Sequence, residues 1–164
     1  MRIHRIILCA GLPASAACGQ ITSLDLSNYR HTATFDLPAA ASEASAVTFN
    51  PETGNLYVLG DEGDAIVEVT RAGAVVSSMT LTGFDDTEGL THVGGGQFVL
   101  VEERIQDAYR LTYVPGGTAA RASLPTVSLG ETVGNVGLEG ISFEPRTDGR
   151  CRPITVYLNR PDAV

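Results

Sequence analysis

The sequence predicts an all-β chain folded as a partial β-propeller, about two and a half to three four-stranded blades. Three observations point there. A Glu at the head of a short alternating apolar run occurs three times, at Glu43, Glu88 and Glu139. The same series of turns and strands follows the first two. Gly or Pro interrupts every window in which a 3.6-residue apolar stripe could run, so helices are not expected. The competing all-β reading is an ordinary sandwich or barrel whose strands happen to look alike.

Residues 1–17 read as an export signal. Arg2 and Arg5 supply the charged start, an apolar stretch opens at Ile6, and the small residues Ala14, Ser15, Ala16 and Ala17 follow. The apolar stretch falls short of the roughly 18 residues a membrane span needs. The competing reading is a buried N-terminal strand. Cys18 directly follows the small residues, so two kinds of processing fit: lipidation of Cys18, or plain cleavage after Ala17. A lipid anchor would hold the protein on a membrane surface without spanning it. Export places the chain in the periplasm or on the cell envelope. Of three Cys, processing removes Cys9 and leaves Cys18 and Cys151, so no disulfide framework is expected.

The first unit begins at Glu43 with an apolar run over residues 44–49. A turn at 50–55 leads to a strand over 56–59, ending in Gly60-Asp61-Glu62. Alternating strands follow over 65–69 and 75–81. The second unit begins at Glu88, turns at Gly94-Gly95-Gly96, and continues with a strand over 98–101 ending in Glu102-Glu103. Further strands are predicted over 108–112 and, less sharply, within 119–129. The third begins at Glu139. The spacings, 88 − 43 = 45 and 139 − 88 = 51, are those of a propeller blade.

The 164 residues carry a net charge of −8, and all 11 basic residues are Arg. An acidic chain without a basic stripe excludes sequence-independent nucleic-acid binding and leaves cations as partners. The processed chain has only His31 and His92 and no Gly-x-Ser-x-Gly, which argues against a nucleophilic hydrolase.

Taken together, Glu43-Ala44-Ser45-Ala46-Val47-Thr48-Phe49-Asn50, Phe84-Asp85-Asp86-Thr87-Glu88-Gly89-Leu90 and Gly134-Asn135-Val136-Gly137-Leu138-Glu139-Gly140-Ile141 resemble the SdiA-regulated (YjiK-like) family of bacterial envelope proteins. The resemblance implies a propeller distantly similar to NHL-repeat propellers, with a calcium site and no established reaction. Related secreted propellers of the phytase type are calcium-dependent phosphoesterases, which is the enzymatic alternative. A metal-free protein-binding propeller is the other.

In a propeller the first strand of each blade lines the central channel. Glu43, Glu88 and Glu139 are therefore expected to share one mouth, where carboxylates repel one another and a hard cation such as Ca²⁺ relieves the repulsion. Capping of blade loops by the same carboxylates fits their spacing equally. Asp61, Glu62, Glu102 and Glu103 read first as structural or solvated groups able to lend further oxygens. Asp85 and Asp86 read as turn residues, and Arg104 as a rim ion-pair partner.

After Gly149 the pattern breaks. Residues 18–145 hold five Arg against 17 acidic groups; residues 146–164 hold four Arg against two Asp. The domain is thus expected over 18–149 as an incomplete ring, with 150–164 a tail out of register. An open arc would expose strand edges that invite self-association. Residues 154–158 still carry strand propensity.

Overall fold

The computed structural model describes residues 2–6, 27, 29–62, 65–130, 137–144 and 154–158. Its strands are β1 (Arg2–Ile6), β2 (Ala44–Asn50), β3 (Asn55–Gly60), β4 (Ala65–Val69), β5 (Val75–Thr82) and β6 (Thr87–Gly94). They continue as β7 (Gln97–Glu102), β8 (Asp107–Thr112), β9 (Thr118–Ala120), β10 (Thr126–Ser128), β11 (Leu138–Phe143) and β12 (Ile154–Leu158). They form three sheets, ordered β2-β3-β4-β5-β9, β6-β7-β8-β10 and β1-β12-β11. The first strands of the sheets lie side by side, β2 against β6 and β6 against β11. This is a partial β-propeller with inner strands β2, β6 and β11.

Period-2 alternation builds the packing between blades. In β3 and β4, Tyr57, Leu59 and Ile66 face the second blade, where they meet Leu90, Phe98, Leu100, Tyr109 and Leu111 in one buried cluster. The alternate residues, Val58, Ala65, Val67 and Val69, pack under Ala41, the last residue of a 3-10 turn at Ala39–Ala41. In β7 the alternation repeats: Val101 turns to the third blade and packs with Leu138 and Val156. Because both faces of β3, β4 and β7 are covered, these strands are nearly continuous in apolar residues.

The outer edge departs from the expectation. Residues 119–129 do not form one fourth strand. They split at a 3-10 turn, Arg121–Ser123, closed by Leu124 N–H to the Arg121 carbonyl (3.1 Å). Before the turn, β9 crosses to the first blade and pairs in parallel with β5, Thr80 opposite Thr118. After it, Pro125, which has no N–H to donate, accepts from Arg110 N–H (3.0 Å), and β10 completes the second blade on β8. The chain between β8 and β10 is therefore a strap across two blades.

At the N-terminus, Arg2–Ile6 forms β1, paired antiparallel with β12 from Arg2↔Leu158 to Ile6↔Ile154. These residues fall within the segment read as an export signal. The rest of that segment and Cys18 lie outside the described residues. So do Cys151 and most of the tail, apart from Ile154–Leu158, which pairs with β11.

Gly89 sets how closely the second and third blades approach. A Cβ there would lie 2.6 Å from Val101 Cγ2, 3.0 Å from Ile141 Cγ2 and 3.1 Å from the Ile141 nitrogen. Gly89→Ala is expected to cost about 1–3 kcal/mol in urea unfolding, the usual penalty of overpacking. A variant as stable as the wild type would show that β6 and β11 do not meet at this spacing.

Candidate cation site

The inner strands share a device that the residue pattern does not reveal. Each carries a β-bulge one residue after its first paired residue: Ser45 in β2, Glu88 in β6 and Glu139 in β11. A bulge leaves one residue unpaired and re-aims its side chain, so these three positions are equivalent. The structural counterpart of Glu88 and Glu139 in the first blade is thus Ser45, and Glu43 stands two residues too early. Backbone geometry agrees. Glu43 and Asp86 both adopt left-handed conformations, with φ of 53° and 61°. Their carbonyls accept equivalent bonds, from Asp61 N–H (3.0 Å) and Glu103 N–H (2.9 Å) respectively. Glu43 therefore corresponds to Asp86, and Asp61 to Glu103. Gly137 fills the same place in the third blade, where a Cβ would meet the Glu103 carbonyl at 2.8 Å.

Two acidic sets result. Carboxylate oxygens of Asp61, Asp86 and Glu88 lie within 4.8 Å of one another, as do those of Glu43, Asp61 and Glu62. Asp61 belongs to both. Its Oδ1 is buried and has no hydrogen-bond partner among the described residues. Glu139, exposed at its bulge, comes near enough to Glu88 and Glu103 to raise both electrostatically. Of the three Glu expected to meet, the structure thus brings Glu88 and Glu139 together and places Glu43 in the neighbouring set. Asp86, read from sequence as a turn residue, is a turn residue and a member of the cluster as well. The clue available was its place two residues before Glu88, matching Glu43 two before Ser45.

The remaining acids divide by their partners. Glu103 is buried; desolvation and the charges of Asp86 and Glu139 raise its pKa, against an N–H bond from Gly137. Glu102 is fully buried and engaged elsewhere: its Oε1 accepts from Asp85 N–H (2.9 Å) and from Arg121 Nη1 (2.9 Å). Arg104 bonds Asp86 Oδ2 at 3.0 Å and approaches Asp85 at 3.5 Å, as expected of a rim partner. His92 is a packed strand histidine, edge-on to Phe98 and 3.8 Å from Glu52.

Glu88 carries the strongest electrostatic mark. Burial, then a hydrogen bond to Asp61, then the charges of Asp61, Glu139 and Asp86 push its pKa up to about 8. Without a cation, Glu88 keeps its proton at neutral pH.

The arc of blades with its acidic mouth is a partial β-propeller. The chain belongs to the SdiA-regulated family, whose model matches residues 22–150. Solved structures similar to it include virginiamycin B lyase from Staphylococcus aureus, at 17% identity and a TM-score of 0.46, over 65% of this chain and 33% of that one. They also include the hydrazine synthase of Kuenenia stuttgartiensis, at 12% identity and a TM-score of 0.47, over 71% and 30% of the two chains. Hsv2 of Kluyvelomyces marxianus matches at 12% and 0.42, over 60% and 33%. The chain spans about a third of the length of each of these structures.

The raised pKa of Glu88 fixes the sign of a pH effect. Between pH 4.5 and about 8 the folded protein holds a proton that the unfolded chain has released. That contribution to stability is full below 4.5 and gone above about 8. Chelator-treated wild type should therefore lose melting temperature as pH rises from 5 to 8.5. Glu88→Gln should flatten the slope and be the more stable at pH 8, by on the order of 1 kcal/mol after solvent screening.

Proposed function

We propose that this chain is a calcium-binding β-propeller of the bacterial cell envelope, exported by its N-terminal signal and held there as a soluble or lipid-anchored protein. The order of charge, apolar stretch and small residues before Cys18 supports export. One observation carries the calcium reading: oxygens of Asp61, Asp86 and Glu88 converge within 4.8 Å, with Asp61 Oδ1 buried and unpartnered among the described residues. Ca²⁺ binds oxygens at 2.3–2.6 Å, so the ligands of one ion lie at most about 5 Å apart. The donor set is all oxygen, without the His or Cys that zinc prefers.

The fit extends to the surroundings. Asp61 follows the second strand of the first blade, whereas Asp86 and Glu88 open the second blade. An ion held by the three would cross-link two blades where their charges otherwise repel. Its binding would displace the proton of Glu88. Glu103 and Glu139 stand close enough to add charge. Arg104 is tied to Asp85 and Asp86, so the cluster suits a cation better than a phosphate.

Calcium is expected to raise the melting temperature of the chelated protein. Saturation at a hundred times Kd adds about 2.7 kcal/mol, roughly 5 °C or more for a chain of this size. Asp86→Asn and Glu88→Gln should each remove most of the shift. Superimposed melting curves with calcium and with chelator would refute the assignment.

A further inference from the structure

Among the described residues, the strap between β8 and β10 makes one contact whose effect reaches the acidic mouth. At one end it is fastened to the first blade by Gly116 N–H to the Ser78 carbonyl (2.8 Å), Thr80 N–H to the Gly117 carbonyl (2.9 Å) and Tyr113 Oη with Ser77 Oγ (2.8 Å). At the other end Arg121 gives Nη1 to Glu102 Oε1 at 2.9 Å. The Glu102 side chain is 1% exposed, and the Arg121 side chain 37%. The same Glu102 oxygen accepts from Asp85 N–H. Asp85 lies in the short linker from β5 to β6, one residue before Asp86. A non-glycine residue with φ of 61° persists only where its surroundings over-determine it. Glu102 is one of those restraints; Glu103 N–H on the Asp86 carbonyl, Arg104 on its carboxylate and Thr87 N–H on the Asp61 carbonyl are further ones.

We infer that Arg121 is a remote positioning residue of the cation site: it holds Glu102 under Asp85 N–H and so keeps the Asp85–Asp86 turn in the shape that presents Asp86 and Glu88 together. This rests on the calcium reading for its functional consequence, though not for its structural one. The physical reason is the burial of Glu102. Among the described residues its Oε2 has no hydrogen-bond partner, and with the Tyr109 hydroxyl only a neutral neighbour, the carboxylate depends on the Arg121 charge to stay where it is. Without Arg121, the space vacated by a part-exposed side chain admits water, and the carboxylate turns toward it. Asp85 N–H then loses its acceptor. A neutral amide at position 102 has no such need for a cation and can keep accepting that bond.

The test compares wild type, Arg121→Ala and the double variant Arg121→Ala/Glu102→Gln in the full chain. The first readout is hydrogen exchange of the Asp85 amide in chelator. The second is calcium affinity by calorimetry. In Arg121→Ala, exchange should accelerate about tenfold and affinity fall about tenfold, the scale of one lost charge-assisted hydrogen bond. The double variant should recover both toward wild type, even where its melting temperature remains lowered. Unchanged Asp85 exchange in Arg121→Ala, or no recovery in the double variant, overturns the positioning role. If the wild type binds no calcium but the exchange pattern holds, the positioning of the turn stands and the calcium assignment falls. If exchange follows the pattern while a measurable calcium affinity does not, Arg121 orders the turn without serving the site, and the inference is overturned.

Discussion

Thr87 ties the first two blades together at the point where the charges gather. It is fully buried, and its N–H donates to the Asp61 carbonyl at 2.8 Å. Its hydroxyl donates to the Gly60 carbonyl at 2.6 Å, and its own carbonyl accepts from Ser45 Oγ. One residue of β6 thus holds the end of β3 and the bulge of β2. These bonds lock the register of β6 against the first blade, and the register fixes which residue of each inner strand becomes the bulge. The neighbours of Thr87 on either side, Asp86 and Glu88, meet Asp61 because the backbone between them is held in this way. In a buried site such bonds are worth more than their number implies, since leaving any of these groups unpaired would carry the full desolvation cost.

Hydrophobic packing supplies the rest of the frame. The faces that meet between the first two blades are apolar and aromatic, with Tyr57 tilted on Phe98 at 4.7 Å and Phe84 edge-on to Tyr109 at 5.1 Å. This packing sets the distance between blades but is tolerant of sliding. The polar bonds at Thr87, the Thr48 hydroxyl accepting from His92 N–H and the Glu52 carboxylate accepting from Gly95 and Gly96 N–H remove that freedom. The division is general: burial supplies most of the driving force, and hydrogen bonds supply the specificity of register.

What the sequence made legible follows from this division. Strand positions, their alternation and the blade period depend on apolar spacing, so β2 to β8 stand where the pattern placed them. The bulges depend on backbone pairing, which leaves no residue signature. Aligning the repeats on Glu therefore set Glu43 opposite Glu88, although Ser45 holds that place, and set Glu102-Glu103 opposite Asp61-Glu62, although Asp61 matches Glu103. The split of residues 119–129 was hidden for a related reason. β9 and β10 are three residues each, too short for alternation to reveal. Only Pro125 marked the break, and proline cannot say which sheet the residues before it will join.

The acids of the mouth can then be sorted by what compensates each one. Glu102 has Arg121 and a backbone N–H. Asp86 has Arg104. Glu103 has the N–H of Gly137, and nothing larger can replace that glycine without striking the Glu103 carbonyl. Glu88 faces the like charges of Asp61, Glu139 and Asp86, and Asp61 Oδ1 has no hydrogen-bond partner among the described residues. A fold that needed these carboxylates only as caps would pair them with backbone N–H groups, as it does for Glu52 and Glu102. Their arrangement serves stability poorly in the absence of a cation, because like charges are gathered around Glu88. Two blades contribute one member each, so the repulsion acts across the seam that Thr87 closes. The uncompensated charge therefore lies where a bound cation would strengthen the contact between blades most.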